Sequence, residues 1–564
     1  MFGSPVAEAL FSYVSYSFGR YTLGLTTVNP VVRMLVPFVF CVAVLAQHEG
    51  HEPNSLPEEG LGRVHMETTC APVVAAQFDR ALALLHNFWY ARALERFDQV
   101  AAADPGCALA YWGAAMTYNH PFWDPPSPAD EAAAWALVQK GLSAAKASPR
   151  EKAYVAAVAA LYQDGGAGSK PARDQRYRDA MAAAYASYPD DETSLFYGLS
   201  ILGSVQEGTR GFEPQEQAAK LFEGVFSRQP DHPGVLHYLI HTYDYPPLAQ
   251  RGLAAANRYA EVAPAAQHAQ HMPSHTYSML GMWAQSVASN TKSRAVAQKQ
   301  AAKLWPGATH PSEPHHLDFM EYALLQMGQE GPAKQLRDDS NSIKKLGFEI
   351  LASHTALAAV PARFALERQA WKEAAALEPR GSQFPQAEAI TYFARAMGSA
   401  RSGDLGTAER EVDKLKEIRA ALENASQSYW ATQVEVQMLA ASAWIAQGKG
   451  DRERALKLMR EAADVEDDSA KHIAMENRLY PMRELLGDPL LEQQQPGPAL
   501  AEYETSLAST PNRLRGLYGA AKSANAGNQP EKAAAYFRNL AEMTKDAGAD
   551  RVEISEAKAS VIQR

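Results

Sequence analysis

Apolar residues in this chain recur at three- and four-residue spacings, and Gly, Pro, Asp and Asn interrupt them at short intervals. That period is the signature of amphipathic helices separated by turns. Ala-rich runs such as Ala132–Ala134 and Ala533–Ala535 add helix propensity. No long stretch shows the Val/Ile/Thr alternation of a strand. Residues 71–105 predict a helix, a turn at Phe88-Trp89-Tyr90, a second helix and a stop at Asp104-Pro105. A new unit opens at Tyr111-Trp112-Gly113-Ala114-Ala115 and gives way to an irregular stretch carrying Pro121, Pro125, Pro126 and Pro128. Further helical hairpins are predicted near 172–203, 214–228, 233–264, 267–302, 314–345, 385–422 and 428–465. The last hairpin, from Ala499 through Pro511 to Phe537, is the most regular. Gly165–Gly168 and Gly208–Gly211 read as loops.

The fold class these elements predict is all-α, an α-solenoid in which helix hairpins stack into a superhelix. One amphipathic pair cannot bury its apolar face alone, so stacking builds a continuous core. The 564 residues exceed one compact domain, a limit that a solenoid escapes. The expected organisation is a leader at 1–46, a linker at 47–62, a first solenoid at 63–345, a helical continuation at 346–495, and a last unit with its tail at 496–564.

Composition changes this picture in two places. The net charge of −10, at a pI of about 5.9, gives no basic footprint, so no nucleic-acid partner is expected. Residues 34–46 (MLVPFVFCVAVLA) are uncharged and apolar, shorter than the roughly 20 residues of a membrane-spanning helix. They fit the core of a signal peptide cleaved near Val44-Leu45-Ala46, although only Arg20 and Arg33 supply positive charge upstream. The expectation is export to a periplasmic or extracellular space. The alternative is a buried or membrane-resting N-terminal helix that associates the protein with a bilayer. No Leu-Ala-Gly run precedes Cys41, which argues against a lipoprotein anchor. Cys70 and Cys107 each precede the first helix of a hairpin, one unit apart. Neighbouring units bring such helix starts together, so a disulfide is expected, with two unlinked thiols as the alternative.

The candidate chemistry is histidine. Of sixteen histidines, six lie between positions 232 and 275. His237 and His271 are 34 residues apart, and so are His241 and His275. Histidines four apart on a helix share a face, with Cβ atoms about 5–6 Å apart. Packed helices lie about 8–10 Å apart, so imidazoles from successive units can converge on one ion at about 2.0–2.1 Å.

The 34-residue period is the length of a tetratricopeptide repeat. Ala93, Phe97 and Pro105 also stand at the spacing where such repeats place small, aromatic and proline residues. Residues 71–345 and 496–540 resemble the tetratricopeptide-repeat superfamily, and 346–495 resemble it less closely. The runs Ala269-Gln-His271-Met-Pro-Ser-His275, Asn477-Arg-Leu-Tyr-Pro-Met-Arg-Glu484 and Thr510-Pro-Asn512-Arg513 are similar to runs in a group of exported bacterial proteins of that superfamily. The resemblance implies a fold, its superhelix right-handed, and an address but no reaction.

It also implies which side chains face the concave groove: those at repeat positions 2, 5, 9 and 12. Phased on Pro264, these are His237, His241 and Asp244, then His268, His271 and His275 of the next unit. The following unit, phased on Gly328, adds His315, Asp318 and Tyr322, and the first two units turn His86 and His120 inward. His237, His241, His268, His271, His275 and Asp244 are therefore the candidate metal set. His315, Asp318, Tyr322, His86 and His120 are candidate groove residues. Asp244 and Asp318 are ligands, or acceptors that fix an imidazole tautomer.

Imidazole-dominated ligation suits Cu or Zn first, with Fe or Ni also compatible, and does not suit Mg or Ca. Blander readings stand beside it. His232, before Pro233, reads as a cap or turn residue, and His268 can cap a helix. His316 falls off the groove, His354 and His472 are isolated, and Met272-Pro273 can be an ordinary first helical turn. The metal-free alternative is a polar groove that hydrogen-bonds a peptide or small anion. Trp89, Tyr90, Trp112 and Trp123 can form an aromatic patch, although such residues more often pack between helices. No HExxH, P-loop, strand-borne GxGxxG or CxxCH motif is present.

Two function classes remain. One is an exported binding scaffold that holds a protein or peptide partner in its groove, alone or within a larger assembly. The other is a metal-dependent hydrolase or oxidoreductase that uses the histidine cluster.

Overall fold

The computed structural model describes residues 59–122, 125–166, 168–205, 209–469, 478–547 and 551–562. The expected leader, with Cys41, lies outside these residues, as do Trp123 and His472. Among the described residues every named element is a helix, and successive helices pack on one another in chain order, as an α-solenoid requires. No described helix is long and apolar enough to cross a membrane.

Local sequence sets the helix ends. Ser127 and Asp130 form a reciprocal capping box at the start of Pro128–Leu142. Asp190, Asp404 and Asp451 each cap a helix by accepting a backbone N–H three residues on. Between consecutive helices, the bulky ring of one fills the space a glycine leaves on the other. A Cβ on Gly113 would meet the Phe97 ring at 2.3 Å, one on Gly198 would meet Phe222 at 2.4 Å, and one on Gly519 would meet Tyr503 at 2.3 Å. The same small-against-large pairing thus recurs at separate points along the chain.

The pairing differs from expectation in one stretch. Helices Pro128–Leu142 and Pro149–Gly166 fill the region that the sequence reads as irregular or leaves unassigned. Alanines on several faces of both helices blur the apolar period there. Lys170–Ser187 consequently pairs back onto Pro149–Gly166, while Asp191–Gly203 pairs with the single helix Glu213–Arg228.

One apolar core runs from Leu61 to Met272 and a second from Ala358 to Ala533. Leu61, in the segment expected to be a linker, is 3% exposed. The flanking Gly60 and Gly62 have φ of +84° and +85°, and a Cβ on them would run into Pro264 and Pro233. Cys70 and Cys107 stand at disulfide distance, with Cα atoms 4.6 Å apart. The chain also returns on itself. Asn512 Nδ2 donates to the Gly281 carbonyl, Trp283 Nε1 donates to the Asn512 carbonyl, and the Leu514 N–H reaches Gln326 Oε1.

Candidate metal centre

Helix Pro233–Thr242 begins with proline at its first position, and its N-cap His232 accepts the Gly234 N–H at 3.1 Å. All ten of its residues are buried, so His237 and His241 are displayed in a dry environment. The next inward element is broken at Met272 into Gln267–His271 and Pro273–Met279, because Pro273 has no N–H to continue the ladder. Glu313–Gln326 follows and carries His315.

These three elements bring six histidines into two trios: His237, His241 and His268, and His271, His275 and His315. Each trio takes an i,i+4 pair from one unit and a single histidine from the next. In the first trio, His237 Nε2 lies 3.0 Å from both His241 Nε2 and His268 Nε2. In the second, His271 Nε2 and His275 Nε2 are also 3.0 Å apart.

The outer ring nitrogens fix the tautomers. His237 Nδ1 faces the His86 carbonyl at 2.7 Å, so it must carry the proton. His275 Nδ1 donates to Asp244 Oδ2 at 2.9 Å. His271 Nδ1 donates to Asn290 Oδ1 at 2.7 Å, and Asn290 is oriented by its own bond to the Ser286 carbonyl. In the neutral state, His271 and His275 therefore turn lone pair toward lone pair, with no proton between them. Only one of the two contacts to His237 Nε2 can be a hydrogen bond. An ion about 2.0–2.1 Å from two nitrogens 3.0 Å apart would subtend an angle of about 95°, within the range metal centres adopt. Burial pushes the His237 pKa down to about 3 and holds His241, His268 and His271 well below the ordinary value, with neighbouring imidazoles adding to the effect in those three. These four imidazoles thus stay unprotonated far into the acid range.

Aromatic rings close the surroundings. Phe88 packs on His237, His241 and His268 at ring separations of 4.3, 5.9 and 6.0 Å, and Phe122 lies 4.7 Å from His241. Phe319 covers the second trio at 5.0 to 5.1 Å. Phe88 holds φ of +54° at the inter-helix turn, a place that Gly281, Gly328 and Gly450 fill in other hairpins. A bulky residue there is strained by roughly 1–2 kcal/mol.

A third histidine cluster is a hydrogen-bonded buttress. Glu192 accepts from His86 Nε2 at 3.0 Å and from His232 Nε2 at 2.9 Å. The opposite nitrogens accept from the Tyr238 hydroxyl and the Gly234 N–H. Burial would raise the Glu192 pKa, but the two histidines outweigh it and hold the carboxyl far below its usual range. All four ring nitrogens are used, so His86 serves the first trio through its carbonyl.

Asp244 acts as an acceptor for His275. Asp318 pairs with Arg363, and the Tyr322 hydroxyl accepts from Arg513 at 3.0 Å, so both belong to a buried ion network. Arg513 also pairs with Glu367 at 2.7 Å and Glu484 at 2.9 Å. His120 stacks on Tyr90 and joins neither trio. His316 packs against Ser293 and Gln267. Sequence reasoning missed Phe88, Phe319 and Asn290. Phenylalanine at a turn position that glycine fills elsewhere was the available signal for Phe88. Ser278, three residues beyond His275 on the same helix, lines a cavity of about 100 Å³ walled by Met279, Tyr322, Phe393, Tyr429 and Tyr480.

No family model matches the chain, and no curated protein matches it. Solved structures similar to it include a tetratricopeptide repeat protein from Parabacteroides merdae, at 13% identity over 52% of this chain and 98% of that one, with a TM-score of 0.27. Yeast Tom70 is 13% identical over 87% and 96%, with a TM-score of 0.29. A human IFIT1 dimer with m7Gppp-AAAA is 11% identical over 78% and 90%, with a TM-score of 0.34.

Proposed function

We propose that this solenoid is an exported binding scaffold whose histidine groove takes up transition-metal ions, Cu or Zn by its donor chemistry. The carrying observation is the pair of lone-pair-bearing nitrogens, His271 Nε2 and His275 Nε2, held 3.0 Å apart with both outer protons already committed. Two such acceptors repel unless a cation joins them. All-imidazole donors suit these ions. The Cys70–Cys107 pair supports export to an oxidising space. The cavity at Ser278, on the helix that carries His275, supports the reading that a ligand is held near the histidines.

An enzymatic reading is favoured by one observation. Three protein ligands per ion leave a position open for water or substrate, as in catalytic rather than closed structural sites.

Elemental analysis of untagged protein, beside the His241→Ala/His275→Ala variant, tests the metal reading because that variant breaks both trios. Stoichiometric Cu or Zn in the wild type and its loss from a variant of unchanged helicity is expected. Equal, sub-stoichiometric metal in both would end the metal reading.

A further inference from the structure

We propose, resting on the metal-binding reading, that the two trios act as one unit that holds a pair of copper ions and takes up a small bridging anion on oxidation. The trios are direct neighbours. The His241 ring lies 6.5 Å from that of His275, and the His268 ring lies 6.3 Å from that of His271. They are also built alike, each from an i,i+4 pair, one histidine of the next unit and a covering phenylalanine. Nothing in a single-ion site requires the arrangement to be repeated in contact with itself.

The charge balance selects the ion. Among the described residues neither trio includes a carboxylate or thiolate. Asp244 accepts from the outer nitrogen of His275, and Asp318 is committed to Arg363. Two divalent ions placed side by side among neutral imidazoles would repel strongly in this dry, phenylalanine-lined space. Coulomb energy scales with the product of charges, so two copper(I) ions repel a quarter as strongly at the same separation. Imidazole suits copper, zinc, iron and nickel, and of these copper is the one that offers a stable singly charged ion, which three imidazoles can hold.

Oxidation of the pair removes one electron from each ion and raises its charge from +2 to +4. With no carboxylate or thiolate in either trio among the described residues, one external anion, hydroxide or azide, enters between the ions and offsets part of the rise. Two equivalents of a one-electron chemical oxidant accept the two electrons.

The test uses the full-length protein loaded anaerobically with copper(I), then oxidised with ferricyanide and titrated with azide. Two copper ions per chain are expected, with an electron paramagnetic resonance intensity far below that of two independent spins and one azide bound per copper pair. His315→Ala and His268→Ala each break one trio. Each is expected to keep one copper and to recover a full single-spin signal. Two copper ions with two full, independent spins in the wild type would overturn the pairing while leaving metal binding intact. Absence of copper uptake would instead overturn the underlying metal reading.

Discussion

Replacing Asp244 with asparagine isolates the part that the outer hydrogen bond plays in metal binding. Asp244 Oδ2 accepts the His275 Nδ1 proton at 2.9 Å, with both side chains buried. A hydrogen bond to a charged acceptor contributes about 1.5–3 kcal/mol and a neutral one about 0.5–1.5 kcal/mol. Asparagine keeps the acceptor oxygen and the geometry but loses the charge, so the difference is about 1–1.5 kcal/mol. An ion on Nε2 makes Nδ1–H more acidic, so the loss falls on the metal-bound state and affinity drops about tenfold. The assay is a chelator-competition titration in the His237→Ala/His241→Ala background, which leaves only the second trio. The first trio, whose His237 leans on a backbone carbonyl, is the control in a His271→Ala/His275→Ala background and should shift by less than about twofold. An unchanged affinity at the second trio, or an equal loss at both, would refute the reasoning.

Acid should unfold the metal-free protein. Burial lowers the folded-state pKa of His237 to about 3 and of His310 to about 4, against 6.5 when unfolded. The unfolded chain therefore binds protons first, and stability that is complete above pH 6.5 is lost as pH falls toward 4, at about 1.4 kcal/mol per unit for each such histidine. A urea midpoint that stays constant from pH 7.5 to 5 would contradict this. Reducing the Cys70–Cys107 pair, 37 residues apart, should remove about 4 kcal/mol of loop-closure stabilisation, read from denaturation with and without reductant. Arg513→Met should cost about 3–5 kcal/mol because it strands Glu367 and Glu484, whereas Lys449→Met, at an exposed pair with Glu409, should cost less than about 1 kcal/mol by the same measurement.

The helical class and most hairpins were legible because their apolar stripes keep a clear period. The exception at 128–166 shows the limit: alanine on several faces makes helix without marking which face is buried. For the site, the 34-residue recurrence was enough to group His237, His241, His271 and His275, since helical phase alone puts i,i+4 side chains together. The partition into trios was not legible. It depends on how far Trp283–Leu304 and the loop after it carry the chain before His315 re-enters, which no local pattern encodes. The outer partners Asn290 and the His86 carbonyl come from a following and a distant helix, so spacing could not point to them.

Arrays of helix hairpins ordinarily lengthen or shorten by whole units, since each unit answers only to its neighbours. The bonds from Asn512 and Leu514 to Gly281, Trp283 and Gln326 bridge separations of 188 to 231 residues and remove that freedom. Each added or deleted unit between those points would rotate the returning end away from Trp283 and strand the Arg513 guanidinium. Unit duplication in the gene is thereby barred from the middle of the chain, and length drift among descendants should be confined to the segments outside that clasp.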